Sequence, residues 1–279
     1  MNHMRKRDYT KKQLAVIILL SIGMLAAAAL LNEFFPVGAG ETETASTAVK
    51  TPSVTTTATP TAVPTPTPDP TEKIATFFQG PKAWERRLEW SGKWGKEYYD
   101  GGSFGGFGCG LCCMANIYTT FSGHECSPVD MYEYAKKKSG YGGGGAIDWG
   151  YMKDTLKSLG FTSDVWRKPG KYEKFQKLVK DSMACIVVVS SYDSDCYWKD
   201  TPGHYVTLFS YDEETDRIFL GDSGDPSHNR QWVPLKKIYK SLKTSNRWQC
   251  LAVTSFDAEK DQWKHEGFGG TCVLPERWQ

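Results

Sequence analysis

The sequence predicts an α+β fold, with helices packed on an antiparallel β-sheet, and two observations support this class. Apolar residues recur at helical spacing in the first part of the aromatic-rich region, whereas β-branched and aromatic runs of strand length follow later. Helices followed by strands favour an antiparallel sheet over a doubly wound parallel one. Of 279 residues, 40% are hydrophobic and 24% charged, which permits one sizeable core or two small ones and is atypical of a disordered chain.

The N-terminal region carries a membrane signal. Residues 1–12 form a basic tail, and residues 13–32 contain an uninterrupted apolar run, Leu14–Leu31, of the length that crosses a bilayer as a helix. The basic residues before the run and Glu33 after it predict a cytoplasmic N-terminus, with the rest of the chain outside the cell membrane. A signal peptide cleaved in the sequence PVGAG is the alternative, and it also predicts export.

Residues 33–73 are predicted to form a disordered stalk. The segment from Glu41 to Glu72 is dominated by Thr and Pro and contains no aromatic residue. Such a segment buries too little apolar surface to offset its ordering entropy, and its prolines favour an extended chain. From Ile74 onward the composition becomes aromatic-rich and includes all ten Trp residues, so residues 74–279 are predicted to form the folded domain.

Five helices and four strands are predicted within this domain. The clearest boundary signals are Ser127 as an N-cap, Pro128 at the first helical position, and Gly160 as a C-terminal stop. The predicted helices span 109–121, 127–138, 146–160, 172–182 and 235–243, and the predicted strands span 185–191, 204–212, 217–222 and 248–256.

The eight cysteines of an exported chain invite a disulfide framework, but a domain of roughly two hundred residues does not need one. Cys185 and Cys250 lie in apolar strands, where buried free thiols are common. Zinc is disfavoured, because Cys109 and Cys112 form a C-x-x-C pair without a second pair at ligand spacing. A dithiol redox pair is disfavoured because the pair follows a Gly-rich loop rather than a strand, and Cys112 and Cys113 are predicted to pack within the helix.

A nucleophilic role is the favoured interpretation of Cys109, which stands at the start of a predicted helix. A catalytic cysteine needs a histidine base and a group that orients the histidine. His204 opens one predicted strand and Asp222 closes the next, with a turn between them. If the hairpin centre lies near Glu213, both residues are about nine positions from it, and antiparallel register places them side by side.

These motifs resemble the double-glycine leader peptidase domain, cysteine peptidase family 39, and its stand-alone relatives in the papain-like superfamily. The sequences GFGCGLCCMANIYTTFSG, GHYVTLF and IFLGDSGDP occur in the family's order, and the resemblance covers roughly residues 84–225. It implies a papain-like cysteine peptidase fold with Cys109 as the nucleophile, His204 as the general base and acid, and Asp222 as the orienting carboxylate.

The chain departs from this family at the oxyanion hole. Family members with transporter domains carry a Gln about six residues before the nucleophile, where this chain has Ser103, and the nearest upstream glutamine is Gln79. Glu89 stands where stand-alone relatives have another glutamine, and an ionised carboxylate cannot donate a hydrogen bond to an oxyanion. The backbone N–H of Cys109 remains as a donor.

The sequence therefore predicts a membrane-anchored extracellular cysteine peptidase that hydrolyses peptide bonds through an acyl-enzyme, with no cofactor and no metal. Its predicted partners are a peptide or protein substrate and the membrane, through Leu14–Leu31. Nucleic acid and nucleotide are not predicted partners, since the net charge is +2, no long basic run follows the first dozen residues and no GxxxxGK sequence occurs. Two alternatives remain: a catalytically weak surface module that binds peptide or glycan, and a CxxC dithiol oxidoreductase.

Overall fold

A computed structural model describes residues 69–80, 91–92, 96–190, 197–198, 201–269 and 272–273. The chain divides into two compact units, 1–64 and 65–279, and every described residue belongs to the second. The predicted tail (1–12), the predicted anchor (13–32) and the predicted stalk as far as residue 68 lie outside the described residues. Within the described part, no helix is long and apolar enough to span a bilayer.

The core of the second unit is a six-stranded antiparallel sheet with the strand order β4-β9-β5-β6-β7-β8. Two short two-stranded pairings, β1 with β10 and β2 with β3, lie outside this sheet. The sheet confirms the predicted class of mixed helices and antiparallel strands. The strands are β1 (Ser91–Gly92), β2 (Tyr98–Tyr99), β3 (Gly102–Ser103), β4 (Leu159–Trp166), β5 (Ala184–Val189), β6 (His204–Asp212), β7 (Arg217–Gly221), β8 (Gln231–Pro234), β9 (Cys250–Asp261) and β10 (Cys272–Val273).

All five predicted helices are present, and a short additional helix precedes the first of them. The helices are α1 (Phe104–Phe107), α2 (Cys109–Phe121), α3 (Pro128–Ser139), α4 (Trp149–Ser158), α5 (Tyr172–Lys180) and α6 (Leu235–Ser241). The prediction that Gly160 stops a helix is confirmed, because α4 ends at Ser158, Leu159 is its C-cap, and Gly160 follows with φ +84° as the second residue of β4. A Cβ at Gly160 would lie 2.3 Å from the carbonyl oxygen of Asp257, so the glycine permits close approach of β4 and β9.

Strands β4 and β8 form the two edges of the sheet, and neither was predicted from the sequence. Strand β4 carries polar residues along a partly exposed face, and this weakens its hydrophobic signal. Strand β8 has only four residues and ends in Pro234, a residue that sheets tolerate at their edges. Edge strands of this kind are defined by their pairing partners more than by their own composition.

Helices cover both faces of the sheet, and this explains why β5 is a continuous apolar run. All six side chains of β5 are buried. Ala184, Ile186 and Val188 pack into the cluster that contains residues of α1 to α4, whereas Cys185, Val187 and Val189 pack with residues of α5 and α6. Alternate residues of a strand point to opposite faces, so a sheet covered on both sides needs apolar residues at every position.

The predicted N-cap of α3 is present as a reciprocal capping box. The hydroxyl of Ser127 accepts a hydrogen bond from the backbone N–H of Asp130 at 3.2 Å, and the Asp130 carboxylate accepts one from the Ser127 N–H at 2.8 Å. Replacing Ser127 with alanine is expected to lower the free energy of unfolding by about 1 to 2 kcal/mol, because the cap is buried. Urea denaturation against the exposed-site control Ser245→Ala checks this, and equal stabilities of the two variants would contradict it.

The segment before the first described gap is anchored on α2. The backbone N–H of Ala75 donates to the Thr120 hydroxyl at 3.0 Å, and the N–H of Phe77 donates to the Asn116 side chain at 2.8 Å. Ala75 and Phe77 are fully buried. These bonds carry the chain across the helix that begins at Cys109 and deliver Gln79 to the same end of the domain.

Candidate active site

Cys109 is the first residue of α2, and it is 7% exposed. Gly110 follows it at a point of very close packing, where a Cβ would lie 2.6 Å from Cγ2 of Ile147 and 3.3 Å from Cδ2 of Tyr205. A larger residue would therefore push the helix start away from β6. The Cys-Gly pair brings the thiol up to the strand that begins at His204.

His204 and Asp222 meet at the open end of the β6–β7 hairpin. His204 is the first residue of β6, Asp222 follows the last residue of β7, and His204 Nε2 lies 2.8 Å from Asp222 Oδ1. The predicted side-by-side register is wrong, because Thr207 pairs with Gly221 and a register shift lies further along the hairpin. Continuing this register places Gly224 opposite His204, and a Cβ on Gly224 would lie 3.0 Å from the His204 ring. The aspartate reaches the imidazole from just beyond the end of its strand.

Asp222 is completely buried, and both of its carboxylate oxygens are occupied. Oδ1 also accepts hydrogen bonds from the backbone N–H groups of Gly224 at 2.9 Å and Asp225 at 3.2 Å. Oδ2 accepts a hydrogen bond from the Trp198 indole N–H at 2.6 Å. Since an ionised carboxylate is acceptor-only, this set of donors holds the charged form in one orientation toward His204.

A second histidine, His228, lies on the far side of Asp222. Its ring stacks on Tyr197 with a centroid separation of 4.1 Å, and its Nδ1 is 3.6 Å from Asp222 Oδ2. This buried Nδ1 has no hydrogen-bond partner among the described residues. Burial alone would raise the pKa of Asp222, but the contacts of His204, His228 and Trp198 outweigh burial and hold that pKa far below its usual value.

Cys109 and His204 form a coupled pair that favours the charged forms. Burial alone would raise the pKa of the Cys109 thiol, but the hydrogen bond and charge of His204, with the N–H groups of Tyr205 and Gly110, bring it below the ordinary value. Burial alone would lower the pKa of His204, but Asp222 and Cys109 raise it to about 10. Nε2 is bonded to Asp222, so Nδ1 is the nitrogen available to the thiol. These contacts stabilise a thiolate beside an imidazolium relative to the neutral pair.

The neighbouring thiols behave differently from Cys109. Cys112 and Cys113 are buried, as predicted, and burial raises the pKa of each well above its ordinary value. A dithiol redox pair needs two accessible sulfurs, at least one of them readily ionised. This difference favours a single nucleophile over the oxidoreductase alternative.

Gln79 connects α1 to the loop after Asp222, a role that was not predicted from the sequence. Its Nε2 donates to the carbonyl of Gly105 in α1 at 2.8 Å, and its Oε1 accepts from the hydroxyl of Ser223 at 2.8 Å. Gln79 thus ties α1, which lies just before Cys109, to the residue after Asp222. Ser103 precedes α1 and makes no side-chain cap, and Glu89 lies outside the described residues.

Trp198 and His228 were also missed, and neither carries a sequence signal. His228 lies in a loop rich in Gly, Pro, Asp and Ser, where a lone histidine suggests an exposed turn. A cleft of about 340 Å³ opens beside these residues and His204. Gly106, Thr201, Pro202 and Gly203 also line it.

Comparisons with known proteins extend this description. Residues 147–249 match the family model described as phytochelatin synthase, a segment that includes His204 and Asp222 but not Cys109. No curated protein gives a significant match.

Two solved structures resemble the chain. One is the N-terminal peptidase C39 like domain of the toxin secretion ATP-binding protein from Vibrio parahaemolyticus, with 17% identity, coverage of 53% of this chain and 96% of that chain, and a TM-score of 0.34. The other is a putative C39-like peptidase from Bacillus anthracis, with 14% identity, coverage of 67% of this chain and 97% of that chain, and a TM-score of 0.38. TM-scores this low indicate only a limited similarity to these two structures.

The matched family model belongs to the papain-like cysteine protease superfamily. The resemblance predicted from the three motifs is therefore confirmed at the level of this superfamily, for the matched segment 147–249.

Proposed function

We propose that the chain is a cysteine peptidase in which Cys109, His204 and Asp222 hydrolyse peptide bonds. One observation carries this proposal: His204 lies 2.8 Å from Asp222 and also contacts Cys109, the one thiol of its helix whose pKa is lowered. Nucleophile, base and orienting carboxylate thereby occupy the roles that thiol acyl transfer requires.

The chemistry follows from these positions. The Cys109 thiolate attacks the carbonyl carbon of the scissile bond, and the negative charge moves to the carbonyl oxygen. The backbone N–H of Cys109, at a helix N-terminus, is the donor available to that oxygen. The imidazolium of His204 protonates the leaving amine as the C–N bond breaks. A water molecule then loses a proton to His204 and releases the acid product from the acyl-enzyme.

The match to a synthase family favours a second candidate function for the same site. An acyl-enzyme can pass its acyl group to the amine of another peptide in place of water, with His204 removing the amine proton. Mass spectrometry of the products distinguishes the two functions, because hydrolysis adds the mass of water and transfer yields a longer peptide.

We place this activity outside the cell membrane, with Leu14–Leu31 as the anchor and residues 33–73 as the tether. The length and apolarity of this run and the basic residues before it support this location. Accessibility of the domain to an added protease in intact cells tests it, and protection of the domain until the cells are lysed would overturn it.

Alkylation of the purified full chain by iodoacetamide tests the proposed site. We expect a single fast thiol, Cys109, whose reactivity persists below the pH at which ordinary thiols ionise. A lowered pKa preserves thiolate as pH falls, and the imidazolium partner persists up to a pH of about 10. His204→Ala removes the largest influence that lowers the Cys109 pKa, so its alkylation at pH about 6 should be slower by roughly tenfold or more.

Cys112→Ala is the matched control, since it removes a buried thiol one turn away with a raised pKa. It should leave the alkylation profile of Cys109 unchanged. A Cys109 that titrates like a free thiol, or that reacts only together with Cys112, would contradict the proposal and favour the binding-module or dithiol alternative.

A further inference from the structure

Two loops at one end of the sheet bring four cations together. Arg167 and Lys168 follow β4, and Lys243 and Arg247 lie between α6 and β9. We call these four residues the basic track. Arg167, Lys168 and Arg247 line an open groove of about 540 Å³, and its other lining residues include no carboxylate: Pro169, Gly170, Tyr239, Thr244, Asn246 and Gln249.

The two arginines are held on one aromatic ring. The guanidinium carbons of Arg167 and Arg247 lie 5.6 Å and 5.1 Å from the centroid of Trp248. In the described part of the chain, no ion pair includes Arg167, Arg247 or Lys243. Two like charges on one indole repel each other, so the arrangement is most favourable when an anion lies between them.

A buried glutamine fixes the two loops relative to each other. Gln249 is 3% exposed, and its Oε1 accepts a hydrogen bond from the backbone N–H of Lys168 at 2.8 Å. Its Nε2 donates to the backbone carbonyls of Lys243 at 3.2 Å and Asn246 at 2.5 Å. Gln249 therefore holds both loops that carry the cations in a fixed position, which lowers the entropy lost when the cations bind a ligand.

The basic track lies at the same end of the sheet as His204. Trp166 at the end of β4 pairs with Cys250 at the start of β9, Cys250 pairs with Val187 of β5, and Val189 of β5 pairs with His204. Three strand spacings thus separate β4 from β6, which corresponds to about 14 Å. An extended peptide covers that distance with about four residues.

Lys243 connects the track to the catalytic cleft. Its Nζ lies 2.8 Å from the position that a Cβ on Gly203 would occupy, directly before His204. Its backbone N–H donates to the carbonyl of Val188 at 3.0 Å, which ties this loop to β5. The basic track therefore extends from the groove to Gly203, the residue that precedes His204.

We propose that the basic track binds an acidic segment of the peptide substrate and positions the scissile bond at Cys109. This inference rests on the proposed peptidase function and adds the chemical class of the substrate. Carboxylates four or so residues from the cleaved bond form charge-assisted hydrogen bonds with Arg167 and Arg247, and Lys243 contacts the chain nearer the site. A peptide is favoured over other polyanions because the track leads to the cleft beside His204, the base of the proposed peptidase site.

Binding of a fluorescein-labelled hexaglutamate peptide to the full chain carrying Cys109→Ala tests the track without turnover. We expect binding that weakens as salt rises from about 0.05 to 0.2 M and that is at least about tenfold weaker in Arg167→Ala/Arg247→Ala. The control Lys137→Ala/Lys157→Ala removes the same charge from exposed positions on other helices and should keep the wild-type affinity. Labelled hexaglutamine should not bind.

Equal affinity of the arginine and lysine double variants for hexaglutamate would overturn the proposal. A track that binds inorganic polyphosphate but not hexaglutamate would also overturn it, because the ligand would then be a non-peptide polyanion.

Cleavage of a mixed peptide library by the full chain with its native Cys109 distinguishes a failure of this inference from a failure of the proposed function. We expect Asp and Glu to be enriched about four residues from the cleaved bonds, and expect Arg167→Ala/Arg247→Ala to lose that enrichment while still cleaving neutral peptides. Absence of cleavage from every library peptide overturns the proposed function. Cleavage without acidic enrichment overturns the track alone.

Discussion

Replacing Cys109 with alanine is expected to abolish peptide hydrolysis, with kcat lower by on the order of 10⁴-fold or more. The sulfur forms the covalent bond to the acyl group. Without the sulfur, His204 and Asp222 have no nucleophile to activate. No other thiol in the described part of α2 substitutes, because burial keeps the pKa values of Cys112 and Cys113 well above the ordinary value. A discontinuous peptide assay with mass-spectrometric detection measures the loss.

Cys112→Ala provides the matched control for this loss and should retain most of the wild-type kcat. Cys109→Ala should also bind hexaglutamate as the native chain does, which shows that the domain remains folded. Hydrolysis that survives in Cys109→Ala would contradict the proposed nucleophile.

Replacing Asp222 with asparagine is expected to lower kcat by on the order of 10³- to 10⁴-fold. The carboxylate accepts hydrogen bonds from His204, Trp198 and two backbone N–H groups. An asparagine side chain turns one of these acceptors into a donor, so at least one N–H faces another N–H inside the core. His204 then loses the partner that holds its ring and selects the nitrogen facing Cys109.

The same substitution should change the pH dependence of whatever activity remains. Asp222 is a major cause of the raised pKa of His204, which is about 10. Without that charge the imidazolium loses its proton at lower pH, so the alkaline limb of the kcat/KM profile should move to lower pH. Asp212→Asn, which removes a carboxylate from the other end of the same hairpin, should leave the profile in place.

The stability of the domain should depend on pH through the charge of Asp222, a charge that a neutral residue at this position lacks. Its pKa is lowered in the folded state, so its stabilisation is present above the unfolded-state pKa of about 3.9 and is lost as pH falls below that value. Breaking a buried pair of this kind costs about 3 kcal/mol, and thermal unfolding at pH about 7 measures the cost. An Asp222→Asn chain with the stability and kcat of Asp212→Asn would show that Asp222 orients nothing.

Local signals determined the helices correctly. Ser127 and Pro128 begin α3 where the sequence predicted, because a cap needs only residues within one turn. The predicted helix 109–121 and strand 204–212 have the bounds found in the structure, since continuous apolar and β-branched runs have few alternatives. The edge strand β4 was missed because its identity depends on pairing with β9, almost one hundred positions away in some pairs.

The candidate triad residues were also chosen from the sequence alone, through their residue types and order. What only the tertiary structure decided is the surroundings of these residues. Trp198 and His228 contact Asp222 from loops that carry no motif. Gln79 lies in the segment before the first described gap and hydrogen-bonds to α1. The lowered pKa of Cys109 results from its contact with His204, which outweighs the opposite effect of burial, and neither the contact nor the burial is encoded locally.

The basic track shows the same division most clearly. The sequence has no long basic run after its first dozen residues, and composition alone gave no reason to expect an anionic partner. Folding joins two short loops through Gln249 and places their cations at the end of the sheet where His204 lies. Sequence by itself determined the local elements and the chemical groups, because caps, periodicity and residue type are local properties. Only the tertiary structure decided which groups share a site, because charge and burial act through space and strand pairing joins distant parts of the chain.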